Sequence, residues 1–337
     1  MGEDTGMVAS NDIDLVAIIS QTTAREIVTR QLAYDAIRKG FEAVANEQTK
    51  VYPIVFGQGF VADESFGVKM GADESSQTVG LKIGSYWPRN GQKGLPAHGS
   101  TIVLINPANG FPEAIISATY LNGFRTAAAN AIAVDFLARP EASVLGVIGA
   151  GHQAEHEVRA ILEVRALSRI KINTRSQQRA EWLSGQLADL DIPIDYVTAE
   201  AAVRGSDIVT TVTPSTQALV KSDWVEPGTH LSAMGADNRG KQELDTALVA
   251  RARWFADLPA QSVVIGEFQH AFAAGIIPSA DQILPLGKVT QQANLARKNA
   301  EEITIFDSSG IAIQDLSIAR RVLDEAKHRG LVAYVEL

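Results

Sequence analysis

Cysteine is absent from this chain of 337 residues. That excludes disulfide scaffolds, thiolate metal sites and cysteine nucleophiles in one step, and suits a reducing cytosol. No apolar run approaches the roughly 18 uninterrupted residues of a membrane span. The opening residues, Met1 to Gly6, lack the basic and apolar regions of a signal peptide, so a cytoplasmic protein is expected, with Met7 as an alternative start. A cationic excess is missing too. Lys and Arg number 30 against 39 Asp and Glu, a net charge of −9, with a pI of about 5.2. A phosphate backbone or an anionic bilayer would on average be repelled, so neither nucleic acid nor membrane is an expected partner.

What is present reads as globular: 46% hydrophobic against 20% charged residues, in a chain longer than single cores usually grow. Two domains are expected. Apolar residues at Ile27, Leu32, Ala36, Ile37 and Phe41 predict one amphipathic helix from Thr23 to Ala45. The period then shortens to two. Val51 to Phe56, Phe66 to Met70, Val79 to Tyr86, Thr101 to Ile105 and Ala114 to Ala118 predict strands, with a hairpin at Asn106-Pro107-Ala108-Asn109-Gly110. This first region is expected to be mostly antiparallel sheet. An alanine-rich helix follows over residues 124–138, and then strands alternate with helices from Val144 to Phe306. Such alternation predicts a parallel, doubly wound sheet. The tail from Ser317 to Lys327 is helical and can pack back on the first region.

Val144 to Ile148 is a buried-strand pattern ending in Gly149-Ala150-Gly151-His152-Gln153-Ala154, a G-x-G-x-x-A turn before an amphipathic helix. Gly149 allows the tight turn, Gly151 lets backbone approach a pyrophosphate, and Ala154 permits close packing of helix on strand. A Rossmann dinucleotide site is expected. About 20 residues further on, where an NAD site usually offers a carboxylate to the ribose, stand Asn173, Thr174, Arg175 and Ser176. Missing acid plus a cation suits a 2′-phosphate, whereas Asn173 or Thr174 could bond an unphosphorylated ribose; NAD and NADP both stay open. His152-Gln153-Ala154-Glu155-His156 also spells an inverted zinc-protease string, but the turn is committed to phosphates and no third ligand is evident, so no metal is expected. The strand Leu231 to Met234 runs into a turn presenting Asp237, a candidate proton carrier or iminium stabiliser at the carboxyl edge of the sheet.

Together Gly123-Phe124-Arg125-Thr126-Ala127-Ala128, the Gly149 turn, Met234-Gly235-Ala236-Asp237 with Lys241 and Glu243-Leu244, and Phe306-Asp307-Ser308-Ser309-Gly310 resemble the ornithine cyclodeaminase/mu-crystallin family. The resemblance implies a Rossmann NAD(P)-binding domain, residues 125–310, joined to an α+β, mostly antiparallel substrate and dimerisation domain made of residues 1–124 and 311–337. It further implies a homodimer and NAD(P)-linked chemistry on amino or imino acids. By motif, Arg125 resembles the family arginine that holds the substrate carboxylate, Lys82 the strand lysine facing it, and Asp237 the catalytic acid. Thr126, Gln153, Thr213 and Ser308 fall in segments that border the cofactor in such proteins.

The chain also departs from that pattern. Many members carry an arginine before the lysine strand, yet residues 46–66 contain none, and Lys69 stands nearby instead. His98 and Ser100 precede the next strand. A second polar set of Lys69, His98 and Ser100 suits a substrate with two carboxylates. The expected activity is therefore reduction of an α-imino acid to an L-amino acid by NAD(P)H, with iminosuccinate to aspartate first. Ornithine cyclodeamination, pyrroline-2-carboxylate reduction or an alanine dehydrogenase reaction are alternatives. The alternative of another class is a non-enzymatic NAD(P)H-binding protein of mu-crystallin type.

Overall fold

A computed structural model describes residues 15–336, so the expectations about the chain's start lie outside the described residues. Two eight-stranded sheets organise it. The second sheet is built from β8 (Val144–Ile148), β9 (Arg169–Asn173), β10 (Ile194–Tyr196), β11 (Ile208–Thr211), β13 (His230–Ala233), β15 (Ala252–Ala256), β16 (Leu284–Pro285) and β17 (Ile303–Asp307). Every pairing in it is parallel, in the order β10-β9-β8-β11-β13-β17-β15-β16. All residues of β11, β13 and β17 are buried, as strands covered by helices on both faces must be. The order reverses direction between β8 and β11, which opens a crevice at their carboxyl ends. A small parallel pair, β12 (Thr216–Val220) with β14 (Gln242–Leu244), stands apart.

The first sheet comprises β1 (Leu15–Ile19), β2 (Thr49–Val51), β3 (Val55–Gln58), β4 (Ser65–Asp73), β5 (Thr78–Tyr86), β6 (His98–Ile105), β7 (Pro112–Ser117) and β18 (Ala333–Glu336). Its order is β18-β1-β7-β6-β5-β4-β2, with β3 also on β4, and β1–β7 is its one parallel pair. The helix Ala312–His328 lies across β4, β5 and β6, so the chain's end does return to the first sheet.

Between the sheets runs the helix Thr119–Leu137, in which every residue from Gly123 to Val134 is buried. A helix largely apolar on all sides belongs inside a molecule, and Arg125, Thr126 and Asn130 are its buried polar exceptions. The domain boundary expected between residues 124 and 125 falls within this continuous helix, which packs on both Arg30–Ala45 and His152–Leu162.

Local details differ from expectation for identifiable reasons. The first helix is two, Gln21–Ile27 and Arg30–Ala45, because Val28 is extended and Thr29 caps the second by accepting from Leu32 N at 3.1 Å. Val51 to Phe56 divides into β2 and β3 around Pro53, which has no N–H for a ladder. No helix among the described residues is long and apolar enough to cross a membrane.

Candidate active site

The turn after β8 has the form a dinucleotide requires. Gly149 has φ +119°, and a Cβ there would meet Val212 O at 2.7 Å, so glycine is enforced by both backbone and space. Gly151 forms the N-cap of His152–Leu162 with no side-chain cap, and a Cβ at Gly151 would meet nothing within 4 Å. Unpaired N–H groups at this helix start, the dipole and the open space together fit a pyrophosphate. Ala150 and Ala154 are buried in the strand–helix contact.

Around this turn stand the other cofactor candidates. Gln153 donates to Glu157 at 2.7 Å and to Gly123 O at 3.2 Å, tying the phosphate turn to the central helix. Burial pushes Glu157 up to about 7, with hydrogen bonds from Asn130 and Gln153 opposing the shift. Thr213 donates its N–H and hydroxyl to Glu243, each at 2.7 Å. Thr126 donates to Asn122 O at 2.8 Å. The Ser308 hydroxyl is buried with no partner among the described residues, an acceptor and donor in waiting. Thr174 accepts from Ser176 N at 3.2 Å, and Arg175 is exposed beside it. The residues present fit a bound dinucleotide.

Facing them is a buried cationic cluster. Lys82 and Arg125 are 5% and 8% exposed, and between them stands Asp315, at 2%. Lys82 Nζ lies 2.8 Å and Arg125 Nε 3.2 Å from the Asp315 carboxylate. Asn122 accepts from both cations, and Gln314 from Arg125. Lys69, directly opposite Lys82 in the β4–β5 register, donates to Gly310 O at 2.6 Å. Two cations thus pair with one carboxylate, and Lys69 adds a third positive charge to its field. Burial pulls Lys82 down to about 7; Asp315 opposes the fall, and Arg125 and Lys69 deepen it. Burial, then Arg125, lowers Lys69 as well. A cluster so crowded with like charge is completed by an incoming anion.

Asp237 stands in the turn after β13, half exposed, with Lys241 Nζ at 2.5 Å. Its place in the cleft opposes ionisation, but Lys241, Lys69 and Arg125 outweigh that and hold it below the usual carboxylate range. It is an anion at neutral pH within the field of the cluster. His98 is partly exposed, its ring lying tilted against Tyr86 with centroids 4.6 Å apart. Burial of its ring lowers its pKa, although Asp237 pulls the other way. Lys69 therefore joins Lys82 and Arg125, while Ser100 and His98 lie one and two rows further along the same face. His152 and His156 turn to different neighbours, Trp182 and Phe124.

Asp315, Gln314 and Asn122 were not anticipated. Gln314 and Asp315 lie in the first turn of Ala312–His328, upstream of the Ser317 at which periodicity alone starts that helix. The buried acids Glu243, Glu267, Asp257 and Asp307 were also missed as supports. Glu243 accepts from Gly235 N at 2.9 Å and so fixes the turn bearing Asp237. Asp257 accepts from Gly310 N at 2.7 Å and so fixes the carbonyl that holds Lys69.

Comparison with known proteins places nearly the whole chain among relatives of the same fold. Iminosuccinate reductase of Paracoccus denitrificans is 38% identical over 320 residues, 95% of this chain and 99% of that protein. Its crystal structure in complex with NAD+ superposes with a TM-score of 0.90 over 96% of this chain and 100% of that one. Alanine dehydrogenase of Archaeoglobus fulgidus is 34% identical over 92% of this chain and 94% of its own length. Δ1-pyrroline-2-carboxylate reductase of Thermococcus litoralis, solved with NADH and L-proline, is 26% identical with a TM-score of 0.88 over 95% of this chain and 100% of that one. Residues 15–330, nearly the whole described chain, match one family, and the chain belongs to it: the ornithine cyclodeaminase/mu-crystallin family.

Proposed function

We propose that the protein is an NADH-linked imino-acid reductase whose substrate is iminosuccinate, reduced to L-aspartate. The observation that carries this reading is the buried pair Lys82 and Arg125 on the single carboxylate of Asp315, with half-buried Lys69 next to Lys82 in the sheet and the Asp237 anion within their field. Relatives named for iminosuccinate, alanine and pyrroline-2-carboxylate chemistry share the fold. NADH is favoured as the coenzyme because NAD+ or NADH is bound in those structures.

The dinucleotide, when bound, supplies the hydride. Its pyrophosphate would be held by the N–H groups after Gly149 and Gly151, with Thr126, Gln153, Thr213 and Ser308 along its length and Thr174 or Arg175 at the adenosine ribose. Arg125 and Lys82 clamp the carboxylate next to the C=N carbon, Arg125 through its planar fork. Asp237 stabilises the iminium as a carboxylate. After hydride reaches carbon the nitrogen carries a lone pair and takes one proton, which Asp237 relays from solvent at the cleft mouth. Enclosure between the two sheets keeps the imine from hydrolysis.

A homodimer is part of this proposal. The outer face of the first sheet exposes Val55 (57%), Phe66 (42%) and Ile83 (42%). An apolar sheet face of that kind suits an interface, and the archaeal alanine dehydrogenase is a dimer with bound NAD. The test of function is NADH oxidation at 340 nm with oxaloacetate plus ammonia, pyruvate plus ammonia, and pyrroline-2-carboxylate. Fastest turnover with the first is expected. Tight NADH binding without turnover of any imine would leave the non-enzymatic reading standing.

A further inference from the structure

The Lys69–Lys82 pair is one row of a ladder that continues towards the mouth of the cleft. Next along the same face come Gly67, Gly84 and Ser100, aligned across β4, β5 and β6, and then Ser65, Tyr86 and His98. Rows on one face are two residues apart, about 7 Å. The row beside the cations is thus nearly bare of side chains. Gly67 lies under the Phe56 ring, 3.3 Å from where its Cβ would be, but a Cβ at Gly84 would meet nothing within 4 Å.

Neighbouring glycines have packing reasons that Gly84 lacks. A Cβ at Gly80 would meet Val103 O at 2.4 Å, and one at Gly71 would meet Ala312 and Ile313 at 3.2 Å. Gly84 has neither such a neighbour nor a positive φ. Its backbone would accept any residue, and glycine in mid-strand costs conformational entropy without contributing a contact. The vacancy lies on the sheet face that carries Lys69 and Lys82, one row from those cations, with Ser100 beside it.

We propose that Gly84 is the specificity-determining position of this site: the space over its Cα admits the substituent on the substrate's β-carbon, a second carboxylate, with the first held by the cationic cluster. The inference rests on the imino-acid reductase reading and deepens it. One row of the sheet is the length scale of a four-carbon dicarboxylate, and Ser100 supplies a hydroxyl donor at the distal end. A three-carbon imine leaves the same space to water.

The test is a graded series, Gly84→Ala and Gly84→Val, assayed as kcat/KM with oxaloacetate plus ammonia and with pyruvate plus ammonia. The four-carbon to three-carbon ratio is expected to fall about tenfold with alanine, the scale of one methyl group in a substrate pocket, and further with valine. A ratio unchanged in both variants, or both substrates falling in parallel, overturns the assignment. If the wild-type protein reduces neither imine, the reductase reading fails on its own. The same ratio is then read as binding of L-aspartate against L-alanine to the NAD+-loaded protein, where loss of aspartate preference in Gly84→Ala supports the assignment and retention overturns it.

Discussion

Asp237 and Arg125 carry different burdens, and kinetics separates them. In the proposed mechanism Asp237 meets the reacting nitrogen, so Asp237→Asn should keep NADH affinity and lose roughly a hundredfold or more in kcat, the usual share of a positioned acid or base. The proposal has Arg125 grip a carboxylate present in both ground and transition states, so Arg125→Leu should act mainly on KM, by about tenfold to a hundredfold for a charged hydrogen-bond pair. Steady-state kinetics with NADH fluorescence titration reads both, and unchanged kinetics in both variants would remove the two assignments. Lys82 adds a pH dependence. Burial brings it to about 7, so it is charged below that pH and neutral above. Affinity for the anionic substrate should therefore be full below about 7 and weaken as pH rises through it. The pKa of the free enzyme appears in the kcat/KM profile, and Lys82→Met should abolish that limb, since methionine cannot titrate.

At the scale of elements, the strand–turn–helix unit around Gly149 makes the sharpest demand. Gly149→Ala puts a Cβ 2.7 Å from Val212 O and forces φ +119° on a residue that avoids it. Dinucleotide affinity should fall at least tenfold in a fluorescence titration while the protein stays folded by circular dichroism; affinity within twofold of wild type would show that the turn is not the phosphate site. This unit was legible in the sequence because β8 is buried on both sides and its glycines have few other uses. Asp315 was not legible. It meets Lys82 across 233 positions of chain, and a lone acid in a first helical turn reads equally well as a dipole partner. β1 and β18 escaped because short strands at the chain's ends acquire their identity from each other, Val16 opposite Val335, and not from a local period. The break at Val28 escaped because apolar spacing continues through it, and only the Thr29 cap betrays the interruption.

On the scale of the whole molecule, the first sheet has two faces of opposite character, and alternation along β5 assigns them residue by residue. Lys82 points to Asp315, while its neighbour Ile83 points outward with Val68 and Phe66. Covering that outer face with a second copy removes apolar surface from water and stiffens the strands that hold Lys69 and Lys82. A charge placed there at Ile83 must be desolvated on association, at a cost of several kcal/mol, so Ile83→Asp should disfavour a dimer strongly. Light scattering on a sizing column should then give twice the 36.1 kDa chain mass for the wild type and about one chain for the variant. Because Ile83 faces away from the cleft, NADH binding should survive in the monomer, while KM for the imine rises if pairing holds β4 and β5 in register. A wild-type protein that elutes as a monomer would end the dimer proposal and leave the apolar outer face in need of another partner.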